Sequence, residues 1–80
     1  MEQHDLKHEF PEYHEQIHAL KMSDGRFSRL FDEYHDVNRH VVRVEVNAEL
    51  ATSVQLEELK KRRLKLKDQL HELLKTSALT

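Results

Sequence analysis

One stretch of this chain has residue types at a spacing that matches a known chemistry: His14-Glu15-Gln16-Ile17-His18. On a helix, histidines four residues apart share one face and can hold a single zinc ion, with the intervening glutamate as general base. The chain has 7 histidines among its 80 residues and is also rich in glutamate. With that composition the pattern arises by chance roughly once in fifteen such chains, so it is only a motif hypothesis. A zinc hydrolase also needs a third ligand and a substrate cleft. His4 and His8 repeat the four-residue spacing, but Pro11 interrupts any helix that would carry them onto the same face. His14 and His18 are therefore expected to be solvated residues flanking Ile17, with adventitious zinc or nickel binding at most. No metal, cofactor or small-molecule substrate is expected.

The second cluster is basic. Lys60, Lys61, Arg62, Arg63, Lys65 and Lys67 fall within eight residues and could track phosphates. No aromatic residue interleaves with them, and the net charge is −2 with histidine neutral. The stretch is read as a solvated helix face, partly paired with Glu57, Glu58, Asp68 and acids on a neighbouring helix. Binding to nucleic acid is the weaker alternative. No Ser/His/Asp set can be assembled and no glycine-rich phosphate loop is present, so no enzyme activity is expected.

What positions these residues is a set of helices. A single Gly and a single Pro leave little material for β-turns, and good helix formers dominate the second half of the chain. Pro11 suits a first helical turn, and Glu12 and Glu15 follow it, favouring the helix dipole. Phe10, Tyr13, Ile17 and Leu20 then line one face, predicting a first helix over about 11–21. Ser23-Asp24-Gly25 breaks it, since Gly permits the backbone to leave the helix and Ser or Asp can cap the next one. The second helix is predicted over about 24–48 from Phe27, Leu30, Tyr34, Val37, Val41, Val44 and Ala48, whose spacing alternates three and four. Val41, Val42, Val44 and Val46 are β-branched and suit a strand, but the heptad phase runs through them, so helix is kept. Glu49-Leu50-Ala51 is the second break. Thr52 with Gln55 three residues on is a capping-box pattern that opens a third helix over about 53–75. Its stripe is Leu56, Leu59, Arg63, Leu66, Leu70 and Leu73. Residues 1–9 and 76–80 are expected to be flexible.

Folding the third helix back on the second pairs Val44 with Leu56, Val41 with Leu59, Val37 with Arg63, Tyr34 with Leu66, Leu30 with Leu70 and Phe27 with Leu73. Each pair of residue numbers sums to 100, as an antiparallel hairpin with a short connection requires. The predicted fold is all-α: one coiled-coil-like antiparallel hairpin with a short N-terminal helix, in a single domain over residues 1–80. Arg63 is the polar residue in the seam. Its stem is expected to pack on Val37 while its head reaches water near Glu33 or Asp36. The alternative is that it sets register or oligomer state.

The chain resembles the YdcH family of short bacterial proteins, a group of undetermined function. The resemblance lies in Phe10-Pro11-Glu12-Tyr13, in Phe27, Leu30-Phe31-Asp32 and Tyr34, and in the stretch from Leu59 to Asp68. The connector from Val44 to Val54 matches least well. The resemblance implies a coiled-coil-forming helical protein and supplies no catalytic residues.

With no cysteine, neither a disulfide framework nor a thiolate metal site is possible. The N-terminus lacks the basic start and apolar run of a signal peptide, and no stretch is apolar enough to span a bilayer. A cytoplasmic location is the default. Phe31, Val42, Val46, Leu64 and Leu74 lie off the seam, too many for the free face of so small a domain. The expected function is thus that of a non-enzymatic interaction module that meets a second copy of itself or another protein through these residues.

Overall fold

The computed structural model describes residues 6–78. Helix α1 is Leu6–Glu9, followed by a 3-10 turn, Pro11–Tyr13. Helix α2 is His14–Ser23, α3 is Gly25–Glu45 and α4 is Ser53–Ala78. Helices α3 and α4 pack as the expected antiparallel hairpin, and α2 lies across both. At about 1.5 Å per residue, the 26 residues of α4 extend about 39 Å. That length accounts for most of the 43 Å long axis of the molecule.

The boundaries follow from local chemistry. Asp24 has an extended backbone, and its carboxylate accepts hydrogen bonds from the N–H groups of Arg26 at 2.9 Å and Phe27 at 3.2 Å. It thereby satisfies two of the orphan donors that open α3. The break between α2 and α3 is therefore made by Asp24. Gly25, expected to supply the backbone freedom, is already helical.

Helix α3 ends three residues before its predicted limit of 48. Asn47 takes the left-handed conformation at φ 62°. The Ala48 N–H reaches the Arg43 carbonyl at 2.8 Å, and the Asn47 N–H reaches the Val44 carbonyl at 3.1 Å. This is a Schellman motif with asparagine at the left-handed position. The capping box at the start of α4 forms as expected. Thr52 N–H donates to Gln55 Oε1 at 2.9 Å, and Gln55 N–H donates to Thr52 Oγ1 at 3.1 Å.

Two expectations at the chain ends need correction. The segment before Pro11 is not wholly outside the fold: Leu6–Glu9 forms one helical turn, and Leu6 is fully buried. Pro11 pushes Phe10 out of the helical region, to φ −131° and ψ 66°, so this turn is separate from α2. At the other end α4 continues through residues 76–78, past its predicted end at 75, and the Thr76 hydroxyl donates to the Glu72 carbonyl at 2.9 Å. The expectations for residues 1–5 and 79–80 fall outside the described residues.

The core is concentrated at the end of the hairpin far from its loop. Leu6, Ile17, Phe27, Leu70 and Leu74 are all fully buried there. Tyr34, Val37, Val41 and Leu66 extend the core towards the middle. Nearer the loop burial thins. Leu56 and Leu59, expected as full seam layers, are only half-buried, and no residue of α4 before Leu66 is buried. The reason is geometric, since residues 6–23 supply a third wall at one end of the hairpin only.

Candidate interaction surface

Polar contacts tie α3 to α4. Arg63 Nη1 donates to Asn38 Oδ1 at 3.0 Å, Lys60 pairs with Glu45 at 3.3 Å, and Arg62 lies 3.8 Å from Glu33. Arg63 thus meets the residue next to Val37, its expected partner. The side chains of Lys60 and Arg62 lean along the hairpin in opposite directions, so the three contacts straddle the expected register. The expected position of the Arg63 head is corrected. It is held by Asn38, while Arg62 takes Glu33, and Asp36 pairs with Arg39 on its own helix.

The expected pairing of the basic stretch with acids on the neighbouring helix is seen at Glu33 and Glu45. Lys67 pairs with Glu9 at 3.6 Å, so four of the six basic residues bind polar groups elsewhere in the chain. Lys61 and Lys65 are the remaining two, both exposed. The stretch joins α4 to α3 and α1 more than it presents a continuous cationic face.

The N-terminal segment is seated by small contacts. Phe10 stacks on His71 with ring centroids 4.5 Å apart, and Tyr13 meets the same imidazole edge-on at 5.9 Å. The Leu6 N–H points at His35 Nε2 at 3.5 Å. His14 and His18 are both exposed on α2, with the fully buried Ile17 between them. His8 is exposed on α1, and His4 lies outside the described residues. Among the described residues no three histidines or carboxylates come close enough to hold one metal ion.

The five predicted interaction residues separate. Leu74 is fully buried in the core and cannot serve as a contact surface. The sequence stripe assigned Leu73 to the seam and left Leu74 outside, but α2 and α3 both pack on this part of α4, so the face carrying Leu74 is also covered. Phe31 is half-buried. It lies beside Phe27 and His35, and the Lys21 ammonium sits 4.3 Å from its ring centroid. Val42 is half-buried as well. Val46 and Leu64 are open to solvent, at 57% and 54% exposure. Leu64 shares a small hollow with Tyr34, Lys60 and Lys67.

The most exposed apolar residues of this half were not among those predicted. Leu50 is 95% exposed and Val54 is 67% exposed. Beside them an open groove of about 600 Å³ runs along the loop end of the hairpin. Leu50, Val54 and Leu59 form its apolar part, and His40, Glu58 and Arg62 stand around it. The heptad count placed Leu50 in a break and Val54 in the first turn of a helix, so neither entered a stripe. The available signal was two large aliphatic residues, Leu50 and Val54, one on each side of the Thr52–Gln55 capping pattern's start.

The family described as "Protein of unknown function (DUF465)" matches residues 27–74. The chain belongs to that family. The matched span starts and ends on buried core residues, Phe27 and Leu74, and holds the hairpin and its loop but none of α1 or α2. The chain is also 32% identical over 65 residues to "Uncharacterized protein YdcH" of Escherichia coli (strain K12), covering 81% of this chain and 88% of that protein. The protein of the same description from Shigella flexneri matches equally. No solved structure matches the chain. The resemblance read from the sequence is thus borne out, and it brings with it no activity.

Proposed function

We propose that this protein is a non-enzymatic helical interaction module that self-associates in the cytoplasm through the loop half of a coiled-coil-like hairpin. The observation that carries the reading is the uneven burial. No α4 residue before Leu66 is buried, while Val46, Leu50, Val54 and Leu64 are exposed in that same half. Four exposed aliphatic residues in one half of so small a domain favour association, because burying them removes apolar area from water. Scattered single residues would need no such account. Among the described residues no helix is long and apolar enough to cross a membrane, so a bilayer-spanning role does not compete to explain them. The nucleic-acid alternative is weakened by the pairing of Lys60, Arg62 and Lys67 with carboxylates. Sedimentation velocity tests the proposal. The unaltered chain should form a dimer or higher species at tens to hundreds of micromolar. Replacing Val46, Leu50, Val54 and Leu64 together by glutamine should give a monomer with an unchanged helical circular dichroism signal. A monomer at high micromolar concentration for the unaltered chain would overturn the reading.

A further inference from the structure

We infer that the hollow between α3 and α4 at Arg63 binds a phosphate-sized oxyanion. The hollow holds about 120 Å³ and is lined by Tyr34, Lys60, Arg63, Leu64 and Lys67. Buried Tyr34 forms its α3 wall. On α4, Lys60 stands three residues before Arg63 and Lys67 four residues after it, so the three cations share one helix face. No carboxylate is part of the lining.

The charge that carries the inference is that of Arg63. Its side chain is half-buried, and its Nη1 donates to the neutral amide oxygen of Asn38 at 3.0 Å. Its Nη2 and Nε donors meet no acceptor among the described residues. The nearby carboxylates are committed to other residues: Glu45 to Lys60, Glu33 to Arg62 and Glu9 to Lys67. A half-buried cation that faces only an amide is incompletely compensated, because burial removes water and no opposite charge replaces it. The planar fork of a guanidinium is matched by two oxygens of a phosphate at once, which a chloride ion cannot imitate.

The two lysines add reach. Lys60 leans towards the loop to meet Glu45, and Lys67 leans the other way to lie 3.6 Å from Glu9, beyond hydrogen-bond length. A lysine is a point charge on a flexible stem, so each Nζ can turn back from its carboxylate onto an anion at Arg63. The volume of about 120 Å³ is the room of about four water molecules at roughly 30 Å³ each, enough for a tetrahedral oxyanion. The ligand class is therefore inorganic phosphate or the terminal phosphate of a small ester. Nucleic acid is a different case, since a single hollow does not track a run of phosphates.

Titration of the full chain with inorganic phosphate, at an ionic strength held constant with sodium chloride, tests the site by ¹H–¹⁵N NMR. The Arg63 Nε–H resonance and the amides of 60–67 should shift together and saturate, with Kd on the order of 1 mM. Phenyl phosphate titrated alongside distinguishes an ester from the free ion as the favoured source, and saturable binding of either supports the site. Arg63→Gln keeps an amide donor for Asn38 and should weaken binding at least about tenfold, the loss expected of a charge-assisted contact. Lys65→Gln removes the same charge from an exposed position outside the hollow and should leave Kd within about twofold. If circular dichroism shows Arg63→Gln unfolded, Lys60→Gln takes its place and should weaken binding about threefold. Shifts that grow linearly without saturating would overturn the inference. So would an equal loss with Lys65→Gln, which would reduce the effect to overall charge.

Discussion

Two residues at the breaks of the chain exchange the roles usually given to them. Gly25 opens α3 with an ordinary helical backbone, and a Cβ added there would meet nothing within 4 Å. Its lack of a side chain therefore only widens the unfolded ensemble. Gly25→Ala should stabilise the protein by about 0.5–1 kcal/mol in urea denaturation. Asn47 holds the conformation that glycine favours, at φ 62°. A β-branched residue cannot adopt it without crowding, so Asn47→Val should cost about 1–2 kcal/mol by the same measurement. Asn47→Gly should hold or raise the midpoint, since glycine removes the Cβ penalty. If Asn47→Val proved neutral, the left-handed cap would not be what ends α3.

At the scale of elements, the loop between α3 and α4 is defined by its two caps more than by its own residues. The reciprocal pair at Thr52 and Gln55 closes two donors that would otherwise be open at the start of α4. Thr52→Ala removes the side-chain acceptor and should cost about 1 kcal/mol, read as a lower urea midpoint with an unchanged slope. A changed slope would mean that the loop reorganises. The ion pairs across the hairpin weigh less. Lys60–Glu45 and Arg62–Glu33 join half-exposed to exposed side chains, and such surface pairs contribute about 0–1 kcal/mol each. The apolar seam supplies most of the stability.

The whole molecule has a finished end and an unfinished one. The finished end depends on a single turn of helix, because Leu6 is fully buried although only four residues form α1. Leu6→Ala should cost about 2–5 kcal/mol, the range for truncating a buried leucine. Leu64→Ala should fall within about 0.5 kcal/mol, since Leu64 is 54% exposed. Chemical denaturation of the two variants side by side checks this asymmetry. A loss within about 0.5 kcal/mol for Leu6→Ala would mean that the N-terminal segment contributes nothing to stability. The same asymmetry accounts for the interaction proposal, because the wall formed by residues 6–23 leaves the loop half uncovered.

The sequence by itself determined the local and periodic features of this protein. The alternation of three and four along Phe27 to Val44, and again along Leu56 to Leu73, dictated two amphipathic helices, because side chains at that spacing share a face. The matched phase of the two stripes dictated an antiparallel hairpin. Asp24 as a cap and Thr52 with Gln55 were legible because capping depends on neighbours a few residues away. Asn47 was legible in principle, but the heptad phase ran past it to Ala48 and concealed the end of the helix. Tertiary structure alone decided the rest. Burial of Leu6 and Leu74 depends on a third element meeting the hairpin, and no period along a single helix records how many neighbours surround it. The partners of Arg62 and Arg63 were decided by how far each long side chain reaches along the hairpin, which a stripe does not record. The groove beside Leu50 exists only because a capped loop turns back against α4, which brings together His40 and Arg62 from different helices.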